Sequence, residues 1–474
     1  MDPAKAYDFF SWEVMWNYME GLLKYKPGTT LLEPGLAESY TVSPDGLAYT
    51  LKIREGLSFT DGTPLDASVV KYSLERVINL NLDPSWLVSE FVDKVDVVDT
   101  YTVKITLKDP VSFFPQLMAS VPYFPVSPKA YPADKAVDST VGIGPLKITN
   151  WIRDVEVDFE ANPDYYGAPS KSKNVVIKFF GDATTMRLAL QKGSIDVGWR
   201  TFRPIDISDF QADPNLNVIA VPGPYIRYIV INTQFAPPLD NKAVRQALAY
   251  ATDRKAIADE VFMGTVTPLY SMIPGGMWSH EDVFKDVYGE TPNYAKTREL
   301  LATIGYNEGN KLPLELWYTP THYGDTEADV ATVIKASWEA SGVISVTVKS
   351  AEWSTYLDYM RMVVGVAPIM LFGWYPDYLD PDDYTTPFLD SAVEYRLGSY
   401  YSDPEMDELL EAARTTINIE ERTKLYKQVQ DKLAEDVPHI PIFQGTLYAV
   451  TQKNVKGVVL DPAMIFRYFL VYKE

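Results

Sequence analysis

The densest chemistry-bearing run of the chain is Gly373-Trp374-Tyr375-Pro376-Asp377-Tyr378-Leu379-Asp380-Pro381-Asp382-Asp383-Tyr384. Paired carboxylates can do the acid and base work of glycoside hydrolysis or hold calcium, but the Gly and closing Glu of a calcium loop are missing here. Aspartates in such a run commonly cap helices and turns. A third chemistry is ligand capture. A carboxylate flanked by Trp and Tyr after an apolar strand can receive an ammonium through charge-assisted hydrogen bonds while the rings cover the ligand's apolar parts.

Other reactive constellations lack their parts. His280-Glu281 is followed by Phe284 where a zinc helix needs a second His, and the remaining histidines stand far away at 322 and 439. There is no Gly-rich phosphate loop ending in Gly-Lys-Ser/Thr and no Gly-x-Ser-x-Gly elbow. The absence of cysteine removes disulfides, thiolate metal sites and cysteine nucleophiles, and leaves the redox compartment open. No cofactor or metal is expected. An enzyme is not expected either, since only the 373–384 cluster offers an acid and a base, for a carboxylate-based hydrolase.

The net charge of −21 repels phosphate backbones, so nucleic acid is a poor partner. Hydrophobic residues make up 46% of the chain, yet no stretch reaches the roughly 18 apolar residues that a membrane span needs. No basic and apolar leader opens the sequence, so the chain is either cytosolic or shown without its signal segment. With 32 Tyr and 10 Trp, aromatic usage suits a wet, concave site in which rings supply both apolar faces and hydrogen-bonding edges.

A length of 474 residues predicts two or three domains. Turns at Ser43-Pro44-Asp45-Gly46 and Asp61-Gly62-Thr63-Pro64 bracket a strand over 49–53, and Asp66 or Ser68 is positioned to cap a helix carrying Val69, Val70, Leu74 and Val77. Strand patterns return at 95–97, 101–107, 146–151, 155–159 and 175–180, followed by a helix over 184–191. Residues 225–232 form a β-branched and aromatic run with the composition of a buried strand. Beyond Pro237-Pro238, Asp240 or Asn241 can cap a helix with Val244, Leu248 and Ala251 on one face. Helices over 295–304, 326–340 and 405–434, the last broken near 415–418, then alternate with strands over 312–318, 344–348 and 369–372, which favours an α/β sheet covered on both faces.

Several ordered segments resemble the family 5 extracellular solute-binding proteins, the large class that includes dipeptide, oligopeptide and nickel binders. They are Glu33-Pro34-Gly35-Leu36-Ala37-Glu38-Ser39-Tyr40, Phe59-Thr60-Asp61-Gly62-Thr63-Pro64, Gly142-Ile143-Gly144-Pro145, Asn162-Pro163-Asp164-Tyr165-Tyr166-Gly167, and the helix from Val244 to Arg254. Most of these residues read as structural, with Arg245 and Asp253 as surface charges of a helix. The resemblance implies an α/β, two-lobed periplasmic-binding-protein fold (type II, large three-domain class) with two crossover hinge strands. Lobe I would comprise residues 1–38, 142–238 and 440–474 with an extra α+β subdomain at 39–141, and lobe II residues 239–439. The crossovers would fall near 233–239 and 438–443. Function by resemblance is that of a monomeric, extracytoplasmic component of an ABC importer, which closes around its ligand and presents the closed state to the permease subunits.

In peptide-binding relatives, the ligand backbone adds as a strand between an N-terminal segment and the segment around the Gly-Trp pair. The corresponding ligand-binding residues here are Tyr7, Asp8 and Phe9 on one side and Gly373, Trp374 and Tyr375 on the other. Asp377 corresponds to the aspartate that takes the ligand's amino terminus, and Trp353 to a ligand-contacting tryptophan. The arginines that take the ligand carboxylate in some relatives fall at Leu371 and near Met360, which leaves Arg361 one position off. Peptide is therefore the first expectation. An oligosaccharide or another neutral solute stays open on the aromatic excess at Phe9, Phe10, Trp12, Trp16 and Trp374, and nickel or haem capture stands behind it.

Overall fold

Two apolar cores, joined by one pair of long strands, organise the chain. The computed structural model describes residues 1–200, 202–361 and 366–474. The first core gathers N-terminal residues such as Met15, Leu51, Leu74 and Phe114 with Leu447, Ala449 and Phe466 near the C-terminus. The second gathers residues between Ile226 and Phe443, among them Leu248, Trp338, Ile369 and Leu433.

A seven-stranded mixed sheet runs through the junction in the order Val197–Trp199, His439–Gln452, Leu216–Ile231, Ile369–Trp374, Leu312–Tyr318, Ile344–Ser350, with Thr267–Pro268 attached to His439–Gln452. Strands Leu216–Ile231 and His439–Gln452 are antiparallel partners over nearly their whole lengths. The apolar run read at 225–232 is the inner half of a strand 16 residues long. Its outer half is hidden in sequence by Pro222-Gly223-Pro224, which the strand absorbs through a register shift between Pro222 and Ile226. On this strand Val221 packs on the first core and Ile226 on the second; on its partner the change falls between Phe443 and Leu447. The handover therefore lies inside the paired strands, while residues 233–239 follow as a loop with a cis Pro237-Pro238 bond.

Local signals explain most remaining elements. Asp66 caps helix Ala67–Leu80 by accepting from the amides of Ser68 and Val69, and Asn241 caps Lys242–Ala251 through the Ala243 amide. The four-stranded sheet Ala37–Val42, Ala48–Ile53, Thr102–Leu107, Val92–Asp99 buries alternate residues such as Tyr49, Leu51 and Ile53 under that first helix. Arg245 departs from its reading as a surface charge. It is buried, and its guanidinium donates to the carbonyls of Asp436, Leu239 and Asp240, so it ties the start of its helix to the end of Ile419–Asp436.

Candidate functional site

Asp8 accepts from the amide of Ser11 at 2.8 Å and so sets the start of helix Phe9–Tyr18. That cap places Tyr7 just outside the helix, where its hydroxyl donates to Asp377 Oδ2 at 2.8 Å. Phe9 meets Tyr375 at 5.6 Å between centroids, and Tyr375 stacks on Tyr225 at 5.2 Å. Segments 366 residues apart in sequence, Asp8 and Trp374 at their centres, thus face each other across a cavity of about 1140 Å³ between the two cores. All nine residues expected to bind ligand line it: Tyr7, Asp8, Phe9, Trp353, Arg361, Gly373, Trp374, Tyr375 and Asp377.

The four aspartates after the Ile369–Trp374 strand do different things. Asp380 is fully buried, caps a short 3-10 turn through the Asp382 amide and pairs with Arg422 at 2.7 Å. Asp382 is equally buried, pairs with Arg414 at 3.0 Å and accepts from Tyr378 and Thr386. Asp383 accepts from the Trp374 indole at 3.1 Å and the Asp377 amide at 3.0 Å, which folds the loop back on itself. Only Asp377 of the four lines the cleft, and no cation approaches it among the described residues. Glycoside hydrolysis needs two carboxylates flanking the scissile bond, and Asp383, with 0% exposure, cannot supply the second.

Tyr7 and Asp377 lie at the cleft wall and both keep water access, Tyr7 being 42% exposed and Asp377 half-buried. Burial pushes the Asp377 carboxyl up to about 7 against the opposing Tyr7 hydrogen bond. Burial and the Asp377 charge raise Asp383 further, and burial together with Asp377 raises the Tyr7 phenol. An anion held this way is under-compensated by the described residues, since a single hydrogen bond opposes its burial.

Trp353 stands at the cleft wall with one face already taken. His322 stacks on it at 3.6 Å and 3° between ring planes, and burial lowers the His322 pKa. That face offers no flat platform to a sugar. Trp12 is buried and packs against Tyr7 and Trp16 while bordering the cleft, and Phe10 is exposed to it. Arg361 ends helix Trp353–Arg361 as an exposed residue at the cleft margin.

Gly373 carries the least anticipated feature. It lies opposite Arg227 in the antiparallel register, and a Cβ there would stand 2.0 Å from Arg227 Nη1. The missing side chain is what lets the guanidinium cross the strand to Tyr323, 3.9 Å from that ring's centroid, and to Glu327 at 3.4 Å. Arg227, Tyr323 and Glu327 all line the cleft. The Tyr323 hydroxyl donates to the Gly373 carbonyl at 3.3 Å, so a ligand strand pairing here shares that acceptor. The sequence signal for Arg227 is an arginine inside an otherwise apolar run, because a charge in a strand covered on both faces needs a partner or a purpose.

Among the described residues no group of three His, Cys, Asp or Glu is placed to hold a metal. A second cavity, of about 980 Å³, is bordered by strands Asn174–Lys178 and Val197–Trp199 and contains none of the nine residues.

The family model described as bacterial extracellular solute-binding proteins, family 5 (middle), matches residues 32–395. The chain is 32% identical to heme-binding protein A of Haemophilus influenzae, over 93% of this chain and 84% of that protein. It is 30% identical to the dipeptide-binding protein of Escherichia coli, over 93% and 86%. Among solved structures, a periplasmic binding protein from Helicobacter pylori in complex with the peptide STSA superposes with a TM-score of 0.83 at 25% identity, covering 100% of this chain and 95% of that one.

Proposed function

The chain belongs to the bacterial extracellular solute-binding proteins of family 5, and from that premise we propose that it captures short peptides between its lobes and delivers them unchanged to the permease of an ABC importer. It works outside the cytoplasmic membrane as a monomer. None of the described helices is long and apolar enough to cross a membrane.

The observation that carries the peptide reading is Asp377, a cleft carboxylate held by one phenol and left without a cation among the described residues, beside the aromatic surfaces of Phe9, Trp374 and Tyr375. A peptide ammonium supplies the missing charge, and rings around it accept varied side chains. Dipeptide binding by the Escherichia coli relative and the bound peptide of the Helicobacter pylori protein support this reading. The lobes we propose are the two cores, with the subdomain at 39–141 riding on the first. The hinge then lies at 222–226 and 443–447, and the change of core along the two paired strands supports that placement.

Native mass spectrometry of the purified protein tests ligand class. A retained ladder of peptide masses is expected. A sugar mass or a haem mass, the latter in line with the Haemophilus influenzae relative, would replace the peptide reading.

A further inference from the structure

We propose that Arg227 receives the carboxylate of the captured ligand, so that the cleft selects peptides of two to four residues with both ends free. This rests on the peptide reading and adds to it a second charged anchor and a length.

Arg227 is 5% exposed and lines the cleft. Its contacts hold the guanidinium in place without using up its donors. Nε reaches Glu327 Oε1 at 3.4 Å and Nη1 reaches the Ile226 carbonyl at 3.5 Å, both longer than the roughly 2.7–2.9 Å of a strong charge-assisted bond. The guanidinium sits over the Tyr323 ring, 3.9 Å from its centroid, with the Tyr375 centroid at 5.7 Å. A planar, always protonated fork with two loose bonds and an aromatic bed is arranged for bidentate carboxylate capture. A purely structural ion pair of such burial calls for closer geometry.

Position fixes ligand length. The guanidinium crosses Gly373, and Asp377 lies four residues further on, a reach of at most roughly 13–14 Å. An extended peptide of two to four residues spans up to roughly 14 Å at about 3.4 Å per residue. Chains of five or more residues would need their carboxylate elsewhere.

The test uses an equimolar pool of di- and tripeptides and the same pool with C-terminal amides, each offered to the full chain and read by native mass spectrometry. Wild type should prefer the free acids at least tenfold. The charge-neutral double variant Arg227→Gln/Glu327→Gln should bind both pools alike. A preference that survives in the double variant, or one abolished instead by Arg361→Gln, overturns the assignment. Equal binding of both pools by wild type overturns it too while leaving peptide capture standing, whereas binding of neither pool removes peptide capture and this proposal together. Should the double variant fail to fold, Arg227→Lys keeps the charge without the fork, and an undiminished preference there overturns the proposal.

Discussion

Replacing Asp377 by Asn keeps the shape of the side chain and an acceptor for the Tyr7 hydroxyl, but removes the anion. A hydrogen bond between charged groups is worth about 1.5–3 kcal/mol, so peptide affinity should fall about 10- to 150-fold. Folding stability should move the other way. The folded-state pKa of about 7 lies above the 3.8 of an ordinary aspartate, so ionising Asp377 costs the empty protein stability as pH rises through that interval. Asn removes the cost, and unliganded Asp377→Asn should gain about 1–2 kcal/mol at pH 8, the scale of an undersatisfied buried polar group. The same pKa predicts that wild-type affinity is highest between about pH 7 and the peptide amine's own pKa of about 8 and falls about tenfold per unit below pH 7, where binding releases a proton, since the ammonium needs the ionised form. Tyr7 and Asp383 face this carboxyl, and Tyr7 is the group that holds its charge. Calorimetric titration from pH 5.5 to 8, in buffers of different ionisation heats, reads affinity and proton release together. Unchanged affinity in Asp377→Asn, or a flat wild-type pH profile, would refute the reasoning.

Tyr7→Phe removes the phenol donor on Asp377, so the fall in affinity should begin at a higher pH, with a loss of about threefold to tenfold at pH 7 measurable by the same titration. Gly373→Ala puts a Cβ into Arg227 Nη1; overpacking should cost about 1–3 kcal/mol in denaturant melts, and peptide affinity should drop with the displaced guanidinium. His439 is fully buried between Tyr228 and Phe388 with neither ring nitrogen bonded, and burial lowers its pKa to about 3. Its folded form stays neutral while the unfolded form protonates, so it removes up to about 1.4 kcal/mol of stability per pH unit as pH falls from 6.5 towards 3. His439→Leu should flatten that part of the stability profile in thermal melts, and an unchanged slope would contradict this.

Much of the architecture was legible because local chemistry and tertiary context agree. Asp66 and Asn241 cap the helices their positions suggest, and strand Leu312–Tyr318 has the limits its pattern predicts. The nine residues expected to bind ligand line one cleft, although Asp8 caps a helix and one face of Trp353 is covered by His322. What sequence concealed is set by long-range pairing. Asp380 and Asp382 look like their neighbour Asp377 until Arg422 and Arg414, 42 and 32 residues on, neutralise them. The strand read over 225–232 continues outward through Pro222 and Pro224, where a register shift carries it. Arg227 disappeared into an apolar run because its partner is an absence, the missing side chain of Gly373 on the adjacent strand.

The central claim is that a ligand ammonium completes the Asp377 site. Titrating the protein at pH 7.5 with a pool of short peptides, and with the same pool N-acetylated, tests it most directly. Binding of the free amines with loss of at least tenfold on acetylation is predicted; equal affinity for the two pools would contradict the account.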